Sequence, residues 1–148
     1  MSNFPDWWDK PITIYNKYTD TSTRVTTWYK TQITDPICFW KNVGDKTVVG
    51  SVTVDTASII CRIPQSSKYV TVKEWNELAD KSKNFTLQQG DIVVLGVCEE
   101  DIDEYTQGKR STDFLAVHHK YGDVMEIKQV AIDTMNGMLF KHYTVKGL

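Results

Sequence analysis

The sequence lacks long apolar runs and an excess of positive charge. No apolar stretch approaches the roughly 20 residues of a membrane-spanning helix, so we expect no membrane partner. The first ten residues also lack the basic start and apolar stretch of a secretory signal, and none is expected. With 17 Lys and Arg against 19 Asp and Glu, the formal net charge is −2. Sequence-independent nucleic-acid binding is therefore disfavoured, since proteins that hold phosphates are usually clearly basic.

Cysteine is scarce and widely spaced. The three cysteines are Cys38, Cys61 and Cys98, and no two of them form a C-x-x-C pair. An odd number at such spacing does not indicate a disulfide framework. We expect three small apolar side chains in a reducing compartment.

The motifs of common catalytic and metal sites are missing too. The sequence has no H-E-x-x-H, no G-x-S-x-G and no glycine-rich phosphate loop. His118 and His119 are adjacent, and adjacent helical residues point about 100° apart, so they do not converge on one ion. His142 has no evident partner in sequence. We therefore expect no enzyme, no catalytic residues, no cofactor and no metal site; a hydrolase site assembled in space around a histidine remains the alternative.

The segment from Glu99 to Glu104 concentrates acidic side chains. Its carboxylates are too crowded for an EF-hand loop, and no glycine is placed to turn such a loop. A solvated acidic loop is therefore expected, and whether it binds an ion stays open.

What the sequence does contain is strand-forming residues, organised around Gln88–Gly96. Gly90 and Asp91 form a turn that precedes four consecutive apolar residues, and Gly96 ends the run. Such a run, rich in β-branched residues and bounded by glycines, is typical of a short strand buried on both faces.

The preceding and following segments also read as strands. Residues 12–18 and 25–33 predict a hairpin, with Tyr29 on one face of its second strand and Trp28 and Lys30 on the other. That second strand is predicted to continue, bent at Pro36, to Trp40. A loop is expected over Lys41–Lys46, followed by strands 48–54 and 59–63 with a turn between them at Asp55–Thr56. Near the end of the chain we expect a strand over 124–132 with a bulge at Lys128–Gln129. A final hairpin is predicted to turn at Asn136–Gly137.

Two short helices are also predicted. Thr71 followed by Glu74 forms a capping box that starts a helix over 72–80, with Trp75 on its apolar face. Ser111–Asp113 supplies a second N-cap for a helix ending near Tyr121, with Gly122 after it. The sequence thus predicts an N-terminal arm over 1–11, then one mainly β domain over 12–148. That domain is a β-barrel or sandwich of about six to eight strands with one or two short helices.

Tryptophans mark the candidate contact surfaces. Trp7 and Trp8 lie on the arm, which either folds back on its own domain or docks on a neighbouring subunit. Tyr29 and Phe39 are expected in the core, whereas an interface role is left open for Trp28 and Trp40. The candidate assembly residues are therefore Trp7, Trp8, Trp28 and Trp40.

Three pieces taken together resemble a known class. They are the hairpin containing Ile12–Asn16 and Thr27–Thr31, the segment Leu87–Gly96, and the terminal Asn136–Gly137 hairpin. Across residues 12–145 their order is similar to small head–tail joining proteins of tailed bacteriophages, in particular the head-closure or stopper group. The order also resembles that of uncharacterised phage minor structural proteins of about this length.

The resemblance implies a non-enzymatic structural protein of the virion neck, assembled in the host bacterial cytoplasm. Copies would form a ring that contacts portal or adaptor and tail proteins, with packaged DNA passing through its channel. The loops at Lys41–Lys46 and Pro64–Val70 are candidates to face that channel. A tail terminator, an adaptor or another capsid or tail protein is the nearby alternative. A soluble ligand-binding β-barrel, with aromatic side chains lining a pocket, is the more distant one.

Overall fold

The computed structural model is a closed antiparallel barrel. It describes the backbone of residues 7–49, 52–133 and 142–148, and their side chains except at 43–49, 52–58 and 132–133. The barrel order is β1-β2-β3-β6-β5-β4. The strands are β1 (Lys10–Thr19), β2 (Thr26–Val49), β3 (Val52–Pro64), β4 (Ile92–Leu95), β5 (Val124–Asp133) and β6 (His142–Gly147), and the helices are α1 (Val72–Glu77) and α2 (Ser111–His119). The predicted fold class, a β-barrel with one or two short helices, is confirmed.

The short strand β4 closes the barrel and is buried on both faces, as its sequence predicts. Val93 points into the barrel, whereas Ile92 and Val94 pack on the outside against Phe114 of α2. Gly90 and Gly96 flank the strand, and each has φ of +96°. Glycine adopts this left-handed conformation without the steric cost that a side chain adds, so the two turns can lie directly at the strand ends.

Side chains fill the barrel interior. They come from all six strands and from the segment before β4, and each is almost fully removed from solvent. This core consists of Ile12, Ile14, Cys38, Ile59, Cys61, Ile63, Phe85, Leu87, Val93, Met125, Ile127, Tyr143 and Val145. Burial of apolar side chains at this density supplies the main stabilisation of the fold.

β2 runs through Pro36, which confirms the predicted bent strand. Its pairing with β1 shifts at this point, since Ile12 pairs with Ile33 but Lys10 pairs with Cys38. Pro36 lies in the looped-out part between these pairs. Because proline has no N–H to donate, it fits where the ladder is interrupted.

Two predicted interruptions are wrong. Lys41–Lys46 is strand rather than loop, and Asp55–Thr56 lies inside β3 rather than at a turn. The two segments pair with each other, Lys46 with Asp55 and Asp45 with Thr56. Local turn propensity is overridden because pairing with a long partner strand continues through these residues.

The paired residues 43–49 and 52–58 form a two-stranded extension, here called the ribbon. Its pairs run from Val43–Ser58 to Val49–Val52. β6 pairs with β3 only from Ile59 onward, so within the described residues each ribbon strand has a single partner. At about 3.3 Å per residue, the ribbon is about 23 Å long.

The final hairpin has the predicted bulge but a different register. The pairing of β5 with β6 shifts between Ile127 and Gln129, as expected. Val130 pairs with Val145 and Ile132 with Tyr143. A two-residue turn at Asn136–Gly137 would instead place Val130 opposite Tyr143 and Ile132 opposite Lys141, so the observed register is shifted by two residues. The turn itself lies outside the described residues. In the observed register the buried Val145 meets Val130 at the core.

The helices begin close to their predicted positions. At α1 the Glu74 N–H donates to the Thr71 hydroxyl at 3.3 Å, which confirms the cap, and Trp75 is fully buried. The helix ends at Glu77, three residues earlier than expected. At α2 the predicted cap is wrong, since Ser111 is the first helical residue and its N–H donates to the Glu104 carboxylate at 2.7 Å.

A buried polar network anchors the turn before β4. One Asp91 oxygen accepts a hydrogen bond of 2.7 Å from the Asn16 amide, and the other accepts one of 3.0 Å from the Lys17 N–H. Asn16 also donates to the Thr86 carbonyl at 2.6 Å. Burial raises the pKa of the Asp91 carboxyl to about 7, although these hydrogen bonds oppose the shift.

The raised pKa of Asp91 makes stability depend on pH. In the folded chain the carboxyl binds its proton up to about pH 7, whereas an ordinary carboxyl releases it near 3.8. The stabilisation is therefore complete at low pH and is lost as pH rises through this window, by at most about 1.4 kcal/mol per pH unit. The free energy of unfolding of the wild type and of Asp91→Asn, measured by urea unfolding at several pH values in this range, tests this dependence. The wild type should lose stability relative to the variant as pH rises, and parallel curves would contradict the assignment.

Candidate functional site

The loop that follows β4, residues 97–110, is here called the acidic loop. It lies on the outer faces of β1 and β2, where three cross-strand pairs present polar or aromatic side chains side by side. These pairs are Thr13 with Gln32, Tyr15 with Lys30, and Lys17 with Trp28. Because alternate residues of β1 point into the core, the remaining ones are free to hold this loop.

Several of these side chains fix the start of the acidic loop. The Thr13 hydroxyl donates to the Gly96 carbonyl and accepts from the Cys98 N–H, both at 2.9 Å. The Gln32 amide donates to the Cys98 carbonyl at 2.8 Å. The Tyr15 hydroxyl donates to the Glu100 carbonyl at 2.5 Å. Cys98 and Glu100 are thus positioned by side chains of the barrel.

The acidic side chains of the loop do not all play the same part. Glu99, Glu100, Asp101 and Asp103 are exposed, as expected of a solvated loop. Ile102 is buried under the loop, and the half-buried Glu104 accepts from Trp28 Nε1 at 3.2 Å. The loop is therefore anchored at its centre and end while most of its carboxylates face water.

Four chemically reactive side chains meet where the acidic loop approaches α2. Cys98, Glu100 and His118 each place one ligating atom within 4.8 Å of the others. His118 Nε2 is 3.3 Å from Glu100 Oε2, and His118 Nδ1 is 3.3 Å from Asp123 Oδ1. The Phe114 ring lies 4.3 Å from the His118 ring, centroid to centroid, and restricts its rotation.

This cluster has the atoms for two kinds of chemistry. A thiol, an imidazole and a carboxylate are the parts of a cysteine nucleophile with its base. The Glu100 carboxylate, however, already lies 3.3 Å from Nε2 of this imidazole, and Asp123 lies 3.3 Å from Nδ1, so both ring nitrogens have a carboxylate partner. The second kind of chemistry is metal binding, because sulfur, imidazole and carboxylate are all ligands of zinc.

The sequence motifs missed this cluster, although they separated the histidines correctly. His119 Nε2 is 3.3 Å from the Leu148 carbonyl oxygen, so the two adjacent rings diverge as predicted. The spacing of Phe114 and His118, four residues apart, is the usable signal. Because residues four apart lie on the same face of a helix, the burial of Phe114 places His118 on the face that packs on the barrel.

A second surface collects aromatic side chains of the predicted assembly set. Trp8 is only 5% exposed and packs edge-to-face on His142 at 5.3 Å. Trp7 packs on Phe39 at 5.2 Å but remains 57% exposed. Phe39 is half-buried beneath the two indoles, and Ile37 lies two residues away on the same side of β2. Trp8 thus ties the arm to its own domain, and Trp7 keeps a free surface.

The other two tryptophans of that set lie elsewhere. Trp40 is half-buried and packs against the barrel core, on the opposite side of β2 from Phe39. Trp28 is half-buried beneath the acidic loop. Tyr29, expected in the core, packs edge-to-face on the buried Trp75 at 5.7 Å. The structure therefore brings together Trp7 and Trp8 but neither Trp28 nor Trp40 with them.

Comparisons with known proteins give one family. Residues 8–148 match the model of a family described as a family of unknown function (DUF6751). No curated protein and no solved structure matches the chain. Within the described residues, neither helix has the length and apolar character needed to cross a membrane.

The three thiols should differ in reactivity. Burial raises the pKa of Cys38 to about 12 and that of Cys61 well above its usual value, whereas Cys98 is half-exposed. In the presence of a chelator, we expect one thiol per native chain to react with a thiol-specific disulfide reagent, and all three after denaturation. Cys98→Ser should abolish the native reaction. Equal reaction of two or more thiols in the native protein would contradict this picture.

Proposed function

The chain belongs to DUF6751, a family of unknown function, and we propose that it is a non-enzymatic structural protein of a tailed-bacteriophage neck. In this role copies form a ring between the portal or adaptor and the tail, close the filled head and join it to the tail. The proposal starts from the resemblance of the strand order in residues 12–145 to head-closure proteins. A closed β-barrel with two short helices is compatible with it.

The observation that carries the proposal is the ribbon. Each of its strands pairs on one side only, within the described residues, over about 23 Å. A two-stranded hairpin without further contacts is marginally stable in water. Unpaired strand edges are also ready templates for another chain. A neighbouring copy that pairs with the ribbon edge satisfies these backbone groups and links the subunits.

The exposed indole of Trp7 offers a second contact. It stands on Phe39, close in sequence to the start of the ribbon, and Arg62 lies 5.2 Å from the same Phe39 ring. Tryptophan and arginine are over-represented among residues that dominate binding energy in protein interfaces. The arm and the ribbon thus give one subunit two surfaces for its neighbour.

Charge is compatible with a channel that lets DNA pass. A net charge of −2 does not favour tight binding of phosphates. The Lys41–Lys46 segment, expected as a channel-facing loop, is strand instead, and its residues 43–46 belong to the ribbon. Of the second candidate loop, Pro64–Val70, residues 65–70 do lie in the connection after β3. That connection remains the candidate for the channel.

A soluble ligand-binding barrel has less support. The interior, where such a barrel holds its ligand, is packed with apolar side chains. Of the openings within the described residues, one of about 260 Å³ lies between the bend of β2 and the connection after β3. Most of its lining residues are polar, although they include Ile63 and Phe85 of the packed core.

Shortening the ribbon should abolish assembly without unfolding the barrel. Because Val43 and Ser58 are paired, residues 44–57 can be replaced by Asn-Gly, which favours a two-residue hairpin turn. In a phage whose own copy carries an amber codon, we expect the wild-type protein to restore infectious particles and the shortened protein to restore none. Electron microscopy should then show separate tails and leaking heads.

Other outcomes would overturn this role in different ways. If the amber mutant makes normal particles without any supplied copy, an essential neck function is excluded. Tails of irregular length would indicate that the protein is a tail terminator. Heads that lack the adaptor layer next to the portal would indicate that it is an adaptor. A melting temperature of the shortened protein near that of the wild type is the control for folding.

Trp7 should contribute strongly to self-association. Loss of an exposed aromatic anchor typically costs an interface about 2 kcal/mol, which is about thirtyfold in the dissociation constant. We therefore expect Trp7→Ala to weaken self-association by about this factor in sedimentation velocity. Tyr121→Ala is the control, since Tyr121 is also an exposed aromatic residue, 76% exposed, and follows α2 two residues after its end. If both variants weaken self-association equally, the assignment of Trp7 to the interface is wrong.

A further inference from the structure

We propose that Cys98, Glu100 and His118 form a zinc site on the outer face of the barrel, with Asp123 fixing the histidine. The site lies between the acidic loop and α2. It is independent of the neck function, because neither the ribbon nor Trp7 contributes to it.

The distances are close to those of a tetrahedral centre. His118 Nε2 and Glu100 Oε2 are 3.3 Å apart. Two ligand atoms at about 2.0 Å from a tetrahedral zinc ion are separated by about the same distance. The sulfur of Cys98 lies within 4.8 Å of a ring nitrogen of His118 and of a carboxylate oxygen of Glu100. With zinc–sulfur bonds of about 2.3 Å, it needs to approach by roughly one ångström.

Asp123 provides the support that metal-binding histidines usually have. Its Oδ1 lies 3.3 Å from Nδ1 of His118, on the ring nitrogen opposite the proposed zinc ligand. A hydrogen bond from Nδ1–H to this carboxylate fixes the tautomer that leaves Nε2 free to bind metal. Packing of the imidazole on Phe114 at 4.3 Å fixes its orientation.

The charge around the cluster favours a bound cation. Two carboxylates flank one imidazole, and Asp101 follows Glu100 in sequence. Lys30 lies 3.0 Å from Asp101 and neutralises that carboxylate rather than the cluster. When zinc binds, the Cys98 thiol releases its proton to solvent and bonds as a thiolate, so the ion offsets the local negative charge.

The ligands determine which metal is preferred, and their exposure to solvent determines whether water can complete the coordination. Thiolate and imidazole favour zinc over magnesium and calcium, which prefer oxygen ligands. Glu100 is 65% exposed, and a cleft of about 310 Å³ lined by Glu100, Asp101 and Phe114 opens beside it. Water can therefore occupy the fourth position. The ion would tie the acidic loop to α2.

Metal titration of the full chain, purified without a histidine tag, tests this site. Calorimetry with Zn²⁺ should give one ion per chain, and Mg²⁺ should give no binding. Co²⁺ in place of Zn²⁺ should produce a thiolate-to-metal absorption band, and Cys98→Ser should remove that band. A band that persists in Cys98→Ser, or the absence of Zn²⁺ binding, would overturn the proposal.

Adjacent residues supply the matched controls. We expect His118→Gln to weaken Zn²⁺ binding more than about 100-fold and His119→Gln to leave it unchanged, since His119 faces Leu148. Glu100→Gln and Glu99→Gln form a second pair with the same expectation. Equal losses within a pair would exclude the site.

A positioning variant keeps the test decisive if His118→Gln fails to fold. Asp123→Asn leaves the packing of His118 on Phe114 in place and should weaken Zn²⁺ binding about 10- to 100-fold. Circular dichroism in the presence of a chelator confirms that each metal-free variant is folded. Unchanged affinity in folded Asp123→Asn would contradict its positioning role.

Discussion

Closure of the barrel through four residues is the constraint on which the rest of the structure depends. β4 pairs with β1 through Ile12–Leu95 on one side and with β5 through Ile92–Glu126 on the other. So short a strand supplies few hydrogen bonds, and its stability comes from burial on both faces and from its ends. Asp91 fixes one end through Asn16, and the Thr13 hydroxyl fixes the other through Gly96.

The same constraint explains where the reactive side chains gather. The outer face of β4 needs a cover, and α2 provides it by placing Phe114 over Ile92 and Val94. Because the acidic loop connects β4 to α2, its first residues must pass directly beneath the helix. Cys98 and Glu100 are thereby brought to His118 within one continuous segment of chain, whose backbone Thr13, Tyr15 and Gln32 of the barrel hold in place.

The sequence was most informative where local chemistry decides the structure. The glycines around β4, the break at Pro36, the cap at Thr71 and the bulge after Ile127 each follow from the properties of a few neighbouring residues. The register of β5 with β6 and the strand character of Lys41–Lys46 depend on a partner strand, which a local pattern does not specify. The meeting of Cys98 with His118 depends on how α2 packs, so spacing rules for metal motifs did not reveal it.

The continuity of β2 and β3 has a mechanical consequence. Both strands pass without a break from the ribbon into the barrel wall, where β2 pairs with β1 and β3 pairs with β6. A pull along the ribbon axis therefore loads the ladder between β3 and β6 in shear, so that its hydrogen bonds share the force. Bonds loaded in parallel resist far more than bonds opened one after another. Tension applied to the ribbon would thus pass directly into the wall of the barrel.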